Sequence, residues 1–390
     1  MSNATYDAIV IGSGPAGAMA ARTLARRGRS VMMLERDKLP RPKACGGGLT
    51  GNIRKSIDFE LDDVVENVVT RTFCVFKGTR SILLQPKGLH VQMVQRDKFD
   101  NYLTQRAVAD GAELRDGTPM RKMTSEHGSK IIETPSGTFK AKVVIGADGA
   151  ASPTARAAGL RLNTPLGIAM DADLAVRPEQ YEKWKDTAIF DFGIVPHGYG
   201  WSFPKKDFFS IGVGTVESHF PTARAHLNDL MARHECLHDS LSMKLRSAPL
   251  PFWTHHEEIA VDGVFLAGDS AGLVDPFSGE GISYALRSGT LAAEFAAARL
   301  AGDSSAEAGY NEMIERTMER GFAFALRLAN IFFEHPNVTY HVGVRSQAVN
   351  DIFAKLIAGE IDYVELYQEL AASWPGRFYR LLKPLLKVLK

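Results

Sequence analysis

The chain has 390 residues, 45% hydrophobic and 23% charged, the balance of a folded protein with large cores rather than of a disordered one. A formal net charge of +1 gives no overall attraction for polyanions, so no nucleic-acid partner is expected. Cys45, Cys74 and Cys236 are too few and too scattered for a disulfide framework or a zinc spacing; no metal is expected, and a reducing, cytoplasmic setting is.

Met1 to Thr5 is short and polar, and the apolar stretch Ala8 to Ile11 runs into glycines instead of a cleavage site, so no signal peptide is read. The β-branched run Tyr6 to Ile11 predicts a buried parallel strand, followed by Gly12-Ser13-Gly14-Pro15-Ala16-Gly17 and a helix to Arg27. Gly12 permits the tight turn, Gly14 lets backbone approach a pyrophosphate, and Gly17 lets the helix pack closely on the strand. The helix N-terminus then faces the phosphates. A second strand, Ser30 to Leu34, ends in Glu35, placed to accept hydrogen bonds from ribose hydroxyls, with Arg36 next to it at the same site.

This unit alone suits NAD or FAD, and the segments downstream decide for FAD. Gln95 to Leu103 predicts a helix with Arg96 at its head, placed to hold phosphates. The strand Lys142 to Ile145 leads into Gly146-Ala147-Asp148-Gly149, and Gly263 to Ala267 leads into Gly268-Asp269. Each delivers a glycine and an aspartate to the sheet edge where ligands of open α/β sheets bind.

Strand-like runs at Phe73 to Phe76, Ile82 to Leu84, Ala188 to Ile194 and Phe208 to Val213 predict an antiparallel sheet roofing the flavin, with substrate between sheet and cofactor. In Tyr199-Gly200-Trp201-Ser202-Phe203 a period of two puts Tyr199, Trp201 and Phe203 on one face, an aromatic wall. His255-His256-Glu257-Glu258 has a metal-like composition, but neighbours on a strand point to opposite faces, so it is read as solvated. Tyr310 to Phe333 predicts one long amphipathic helix. Leucines alternating with five basic residues from Arg377 to Lys390 suit an anionic membrane surface, the inner face for a cytoplasmic protein, and a plain solvated helix is the other reading. No stretch approaches the roughly 20 apolar residues of a spanning helix.

The expected fold class is therefore α/β with an α+β second part. A discontinuous Rossmann-like FAD-binding domain (1–65, 93–165, 262–300) carries an inserted antiparallel-sheet substrate domain (66–92, 166–261), and C-terminal helices follow (301–390).

Three motifs carry a family resemblance over nearly the whole chain, fading after about Phe353. Gly268-Asp269-Ser270-Ala271-Gly272, continued through Pro276-Phe277-Ser278-Gly279-Glu280-Gly281-Ile282, resembles the FAD-binding segment of the flavoprotein hydroxylase and reductase superfamily. Cys45-Gly46-Gly47-Gly48 resembles the cysteine-glycine segment of geranylgeranyl reductases, and Pro196 to Pro204 matches their P-x-x-Y-x-W-x-F-P pattern. The resemblance implies FAD contacts at Ala16, Glu35, Cys45, Gly46, Gly48, Arg96, Asp269, Gly281 and Ile282, with Met120, on a strand after Gly117, contributing backbone. Gly47 stands where some relatives carry aspartate, so a polar side-chain role there is lost.

The resemblance implies saturation of isolated isoprenoid double bonds. Such an alkene has no carbonyl to polarise; it needs a hydride from reduced flavin, a proton donor, and an apolar wall tolerant of developing positive charge. A well-placed ring adds roughly 0.5 to 2 kcal/mol to that tolerance. Cys45 and Tyr199 are the candidate donors, with bound water as the alternative. Expected substrates are prenyl groups on a lipid, pyrophosphate, pigment or quinone. No second glycine fingerprint follows a strand, so electrons come from NAD(P)H docking transiently or from a small electron-transfer protein. The competing readings are a flavin monooxygenase or halogenase, for which no catalytic-lysine motif is found, and a non-catalytic flavoprotein that carries electrons or binds lipid.

Overall fold

The first apolar run forms the strand Thr5–Ile11, whose last four residues are buried, at the centre of an eight-stranded sheet. It pairs in parallel with Val31–Leu34 on one side and Gly137–Gly146 on the other. Glu113–Arg115 and Val264–Leu266 extend the parallel sheet outward, and the hairpin strands Lys122–Glu126 and Ser129–Thr134 continue from Gly137–Gly146. Strand order therefore reverses beside Thr5–Ile11, which opens the crevice that binds ligands in doubly wound sheets. The computed structural model describes residues 5–373 apart from 79, 86, 87, 89, 161, 162, 239 and 335–345.

Two helices cross over that crevice on small residues. The helix Pro15–Arg26 buries its alanines, and the helix Ile282–Leu300 meets it at Gly289, where a β-carbon would lie 2.1 Å from the Ala16 carbonyl oxygen. Only glycine permits this approach. The second helix is thereby packed, about two turns from its start, against the first turn of the first helix, although more than 260 residues separate them in sequence.

A second sheet, of seven strands, lies over the crevice in the order Ser242–Pro251, Leu166–Ala175, Phe208–Thr215, Gly198–Pro204, Thr187–Phe192, Arg71–Phe76, Arg80–Leu84. The four runs expected to pair as an antiparallel sheet all lie in it, but one junction differs. Thr187–Phe192 runs parallel to Arg71–Phe76. Between those strands the chain passes through the first sheet, and a connection of that length can re-enter the second sheet in either direction, which local pattern does not reveal. A three-stranded sheet, Gly48–Leu49, Val91–Val94 and Val65–Val69, joins the two layers.

The helix expected from Tyr310 to Phe333 begins earlier and changes pitch. Ala306–Ile314 and Arg320–Glu334 flank a π-helical turn, Glu315–Glu319. That wide turn carries Glu319 inward, where its carboxylate meets His256 Nδ1 at 2.6 Å. The segment holding His255 and His256 is irregular rather than a strand. The two rings nonetheless diverge, His255 to Glu257 and His256 to Glu319, and no metal-holding cluster occurs among the described residues. The helices Gln347–Ile357 and Tyr363–Ser373 complete the fold. No described helix is long and apolar enough to cross a membrane, and the basic stretch from Arg377 to Lys390 lies outside the described residues.

Candidate functional site

A cavity of about 1120 Å³ runs from the switch point of the parallel sheet, beneath the seven-stranded sheet, to the C-terminal helices. Every residue expected at the site lines it except Gly17. Gly17 lies behind the wall, where a β-carbon would be 1.9 Å from the Gly12 carbonyl oxygen, so its contribution is to close helix packing.

The sheet end of the cavity is built for an anion. No side chain caps the helix Pro15–Arg26 at Gly14, which leaves its first N–H groups to a ligand. Gly12 adopts a φ of 98°, and a β-carbon there would lie 2.3 Å from the Ala147 carbonyl oxygen. Glu35 is buried; its carboxylate accepts the Ser13 N–H at 3.0 Å, the Ser13 hydroxyl at 2.9 Å and the Asp37 N–H at 3.1 Å. Arg36 is largely exposed at the rim and pairs with Asp37. The buried Arg96 guanidinium grips Asp100 in two hydrogen bonds, of 2.8 and 3.0 Å. Burial opposes its charge, but Asp100 and the Cys45 sulfur raise its pKa.

Two further cations in this region were not recognised from sequence. Arg41 lies 3.4 Å from both Glu35 and Asp100, and Lys43 lies 3.1 Å from Asp269. Burial alone would raise the Asp269 carboxyl, but Lys43 and then Arg96 outweigh it and hold the pKa below the usual range. The signal was present as the run Arg41-Pro42-Lys43 just before Cys45. Asp148 lines the cavity, but both its oxygens hold the turn to the next helix, accepting from Ser152 and Thr154. Met120 lines the wall from an irregular loop, not from a strand, because Lys122–Glu126 begins after it.

At mid-cavity the segment Cys45 to Gly48 faces the aromatic strand. The Cys45 N–H donates to Asp171 at 3.0 Å, and its sulfur accepts the Gly47 N–H at 3.3 Å. Lys205, also missed in the sequence although it follows Pro204 directly, is buried and donates to the Gly46 and Gly47 carbonyls at 2.6 and 3.2 Å. Burial pushes its pKa down to about 8. Tyr199, Trp201 and Phe203 share one face, with successive ring centroids 6.1 and 6.4 Å apart. A β-carbon at Gly46 would come within 2.8 Å of Phe203 and 3.1 Å of Trp201 Nε1. That indole N–H is buried without a hydrogen-bond partner among the described residues. A buried orphan donor is costly unless a ligand answers it, so it fits a polar group bound beside Gly46. Tyr199 gives its hydroxyl proton to the Ser278 carbonyl at 2.6 Å, and burial raises its pKa.

The far end is apolar. Phe76, Phe192, Phe332, Phe277 and Phe353 line it, with centroids of contacting pairs 4.9 to 6.0 Å apart.

An uncapped helix start, a cationic cluster, a buried ribose-side carboxylate and an orphan indole donor along one elongated cavity fit FAD. They define a flavoprotein of the doubly wound class. Residues 5–312 match the FAD binding domain family. Geranylgeranyl diphosphate reductase of Rhodobacter capsulatus is 31% identical over 315 residues, 77% of this chain and 78% of that protein. A geranylgeranyl bacteriochlorophyll reductase-like protein of Thermoplasma acidophilum has the same fold, with a TM-score of 0.79 at 24% identity over 98% of this chain and 99% of that one. A flavin-dependent brominase shares the fold at a TM-score of 0.71 and 20% identity, over 91% and 94% of the two chains. The chain belongs to the geranylgeranyl reductase family of FAD-binding proteins, and its cofactor is FAD.

Proposed function

We propose that the protein saturates isolated double bonds of geranylgeranyl or related prenyl chains. The observation that carries this reading is the continuity of the cavity, from the anion-binding sheet edge, past Cys45 to Gly48 and the three-ring wall, into a phenylalanine-lined end. On this reading Gly12, Gly14, Ala16, Arg41 and Arg96 hold the pyrophosphate end of FAD and Glu35 the ribose, with Arg36 at the rim. Asp148, Gly149 and Met120 flank it; Asp269, Gly281 and Ile282 meet the ribityl and flavin end, and Cys45, Gly46 and Gly48 lie along the ring system. When bound and reduced, FAD supplies the hydride.

The residues of the chain do the remaining work. Tyr199, Trp201 and Phe203 bind the prenyl chain, exclude water, and present ring faces to positive charge developing on the more substituted carbon. Lys205 holds the Gly46 and Gly47 carbonyls, which fixes Cys45 against the cavity. The C-terminal helices close the apolar end, where unreacted isoprene units lie.

Dithionite-reduced holoprotein, mixed anaerobically with geranylgeranyl diphosphate or a geranylgeranylated lipid, should reoxidise its flavin and yield product heavier by one hydrogen pair per bond. Reduced flavin that persists with every prenyl substrate rejects the proposal. Oxygen uptake coupled to a hydroxylated or halogenated product supports the monooxygenase-type reading instead, and FAD plus prenyl binding without turnover supports a carrier.

A further inference from the structure

We infer that Glu280 is the acid that protonates the prenyl double bond, an inference that rests on the reductase reading above. Glu280 lies where two glycine segments of the site meet. Thr50, just beyond Cys45 to Gly48, donates its hydroxyl to Glu280 Oε1 at 2.9 Å, and Ser283, in the first turn of Ile282–Leu300, donates to the same oxygen. Oε2 accepts no hydrogen bond among the described residues, and the side chain lines the cavity. One oxygen is thus anchored, and the other is left for a ligand in the cavity.

Burial and the Asp275 charge favour the acid form of this carboxyl, and together they outweigh the Ser283 and Thr50 hydrogen bonds, which favour the carboxylate. Asp275 faces it from its own loop, Thr50 from the glycine segment, Ser283 and Tyr284 from the following helix, and Tyr363 from the last described helix. None is a cation, and Glu280 makes no ion pair among the described residues. Lys43, beyond Gly281, is committed to Asp269. Burial, with Asp275 adding to it, pushes the Glu280 pKa up to about 7, so acid and carboxylate coexist near neutrality.

The two donors expected from sequence are less suitably placed. Tyr199 has its proton engaged by the Ser278 carbonyl. The Cys45 sulfur accepts an N–H and has two cations, Arg96 and Lys205, as neighbours. In the proposed step the π bond breaks; one carbon takes the Glu280 proton and the other a hydride from reduced FAD. FAD ends oxidised, and the Glu280 carboxylate regains its proton from solvent.

The test compares wild type, Glu280→Gln and Glu280→Asp as reduced holoproteins with geranylgeranyl diphosphate. If wild type forms no saturated product, the reductase reading itself fails and the inference falls with it. If it does, Glu280→Gln should slow flavin reoxidation by about 100-fold or more while keeping FAD stoichiometry and prenyl binding. The wild-type rate should fall about tenfold per pH unit above about 7, an alkaline limb absent from Glu280→Gln. Independently of turnover, infrared difference spectra of the oxidised holoprotein should show a protonated-carboxyl band lost with a midpoint of about 7, and missing in Glu280→Gln. Glu280→Asp should keep the alkaline limb at a reduced rate, which covers impaired folding of the Gln variant. A Glu280→Gln rate within about threefold of wild type, an Asp variant without the limb, or no titrating band tied to Glu280 would each overturn the assignment.

Discussion

Replacing Arg96 by methionine tests whether the head of the helix Arg96–Ala109 is an electrostatic keystone of the nucleotide site. Arg96 is 8% exposed and Asp100 fully buried, and their two hydrogen bonds are the main neutralisation of that carboxylate. Removing one partner of a buried pair costs about 3 to 5 kcal/mol, because the other charge is stranded. Arg41 remains 3.4 Å from Asp100, which places the expected loss at the lower end, about 3 kcal/mol. Combining Arg96→Met with Asp100→Leu removes the stranded charge and should recover more than half of that loss. Urea unfolding at saturating FAD measures both, and FAD affinity titrated separately isolates the ligand's share. A single variant within about 0.5 kcal/mol of wild type, or a double variant no better than the single, would refute the reasoning.

Three other outcomes follow from the same geometry. Gly17→Ala puts a β-carbon 1.9 Å from the Gly12 carbonyl oxygen, so the nucleotide turn must move; FAD affinity by fluorescence titration should fall about tenfold or more, since overpacking costs about 1 to 3 kcal/mol. Gly212→Ala puts a β-carbon 2.1 Å from the Trp201 ring and drives the indole into the cavity, so prenyl turnover should collapse while FAD stoichiometry stays near one per chain. Lys205 has its pKa lowered from 10.5 to about 8, so the unfolded chain binds more protons between these values and folding stability should rise with pH across that window. Denaturation at pH 7.5 and 10.5 should show a gain in wild type that Lys205→Met lacks, and equal gains would contradict it.

What could be read from sequence was whatever local spacing determines. The strand–glycine–helix unit around Gly12 to Gly17 and the alternation of Tyr199, Trp201 and Phe203 are short-range patterns, and they fold as those patterns require. Tertiary neighbours decide the rest. Glu280 and Lys205 looked like ordinary motif flanks, because only the packing of remote segments makes one an anchored, half-buried acid and the other a buried cation. The parallel pairing of Thr187–Phe192 with Arg71–Phe76 depends on a long connection through the other sheet. The π-helical turn at Glu315–Glu319 leaves the apolar period almost unchanged, so the sequence reads as one helix there.

The most direct test of the account is a crystal structure of the holoprotein soaked with a saturated geranylgeranyl analogue. The flavin ring should lie along Cys45 to Gly48 with Gly281 at one edge, and the chain should run past Tyr199, Trp201 and Phe203 into the pocket of Phe192, Phe332 and Phe353. A chain bound elsewhere, or a flavin separated from those three rings by protein, would contradict the central claim.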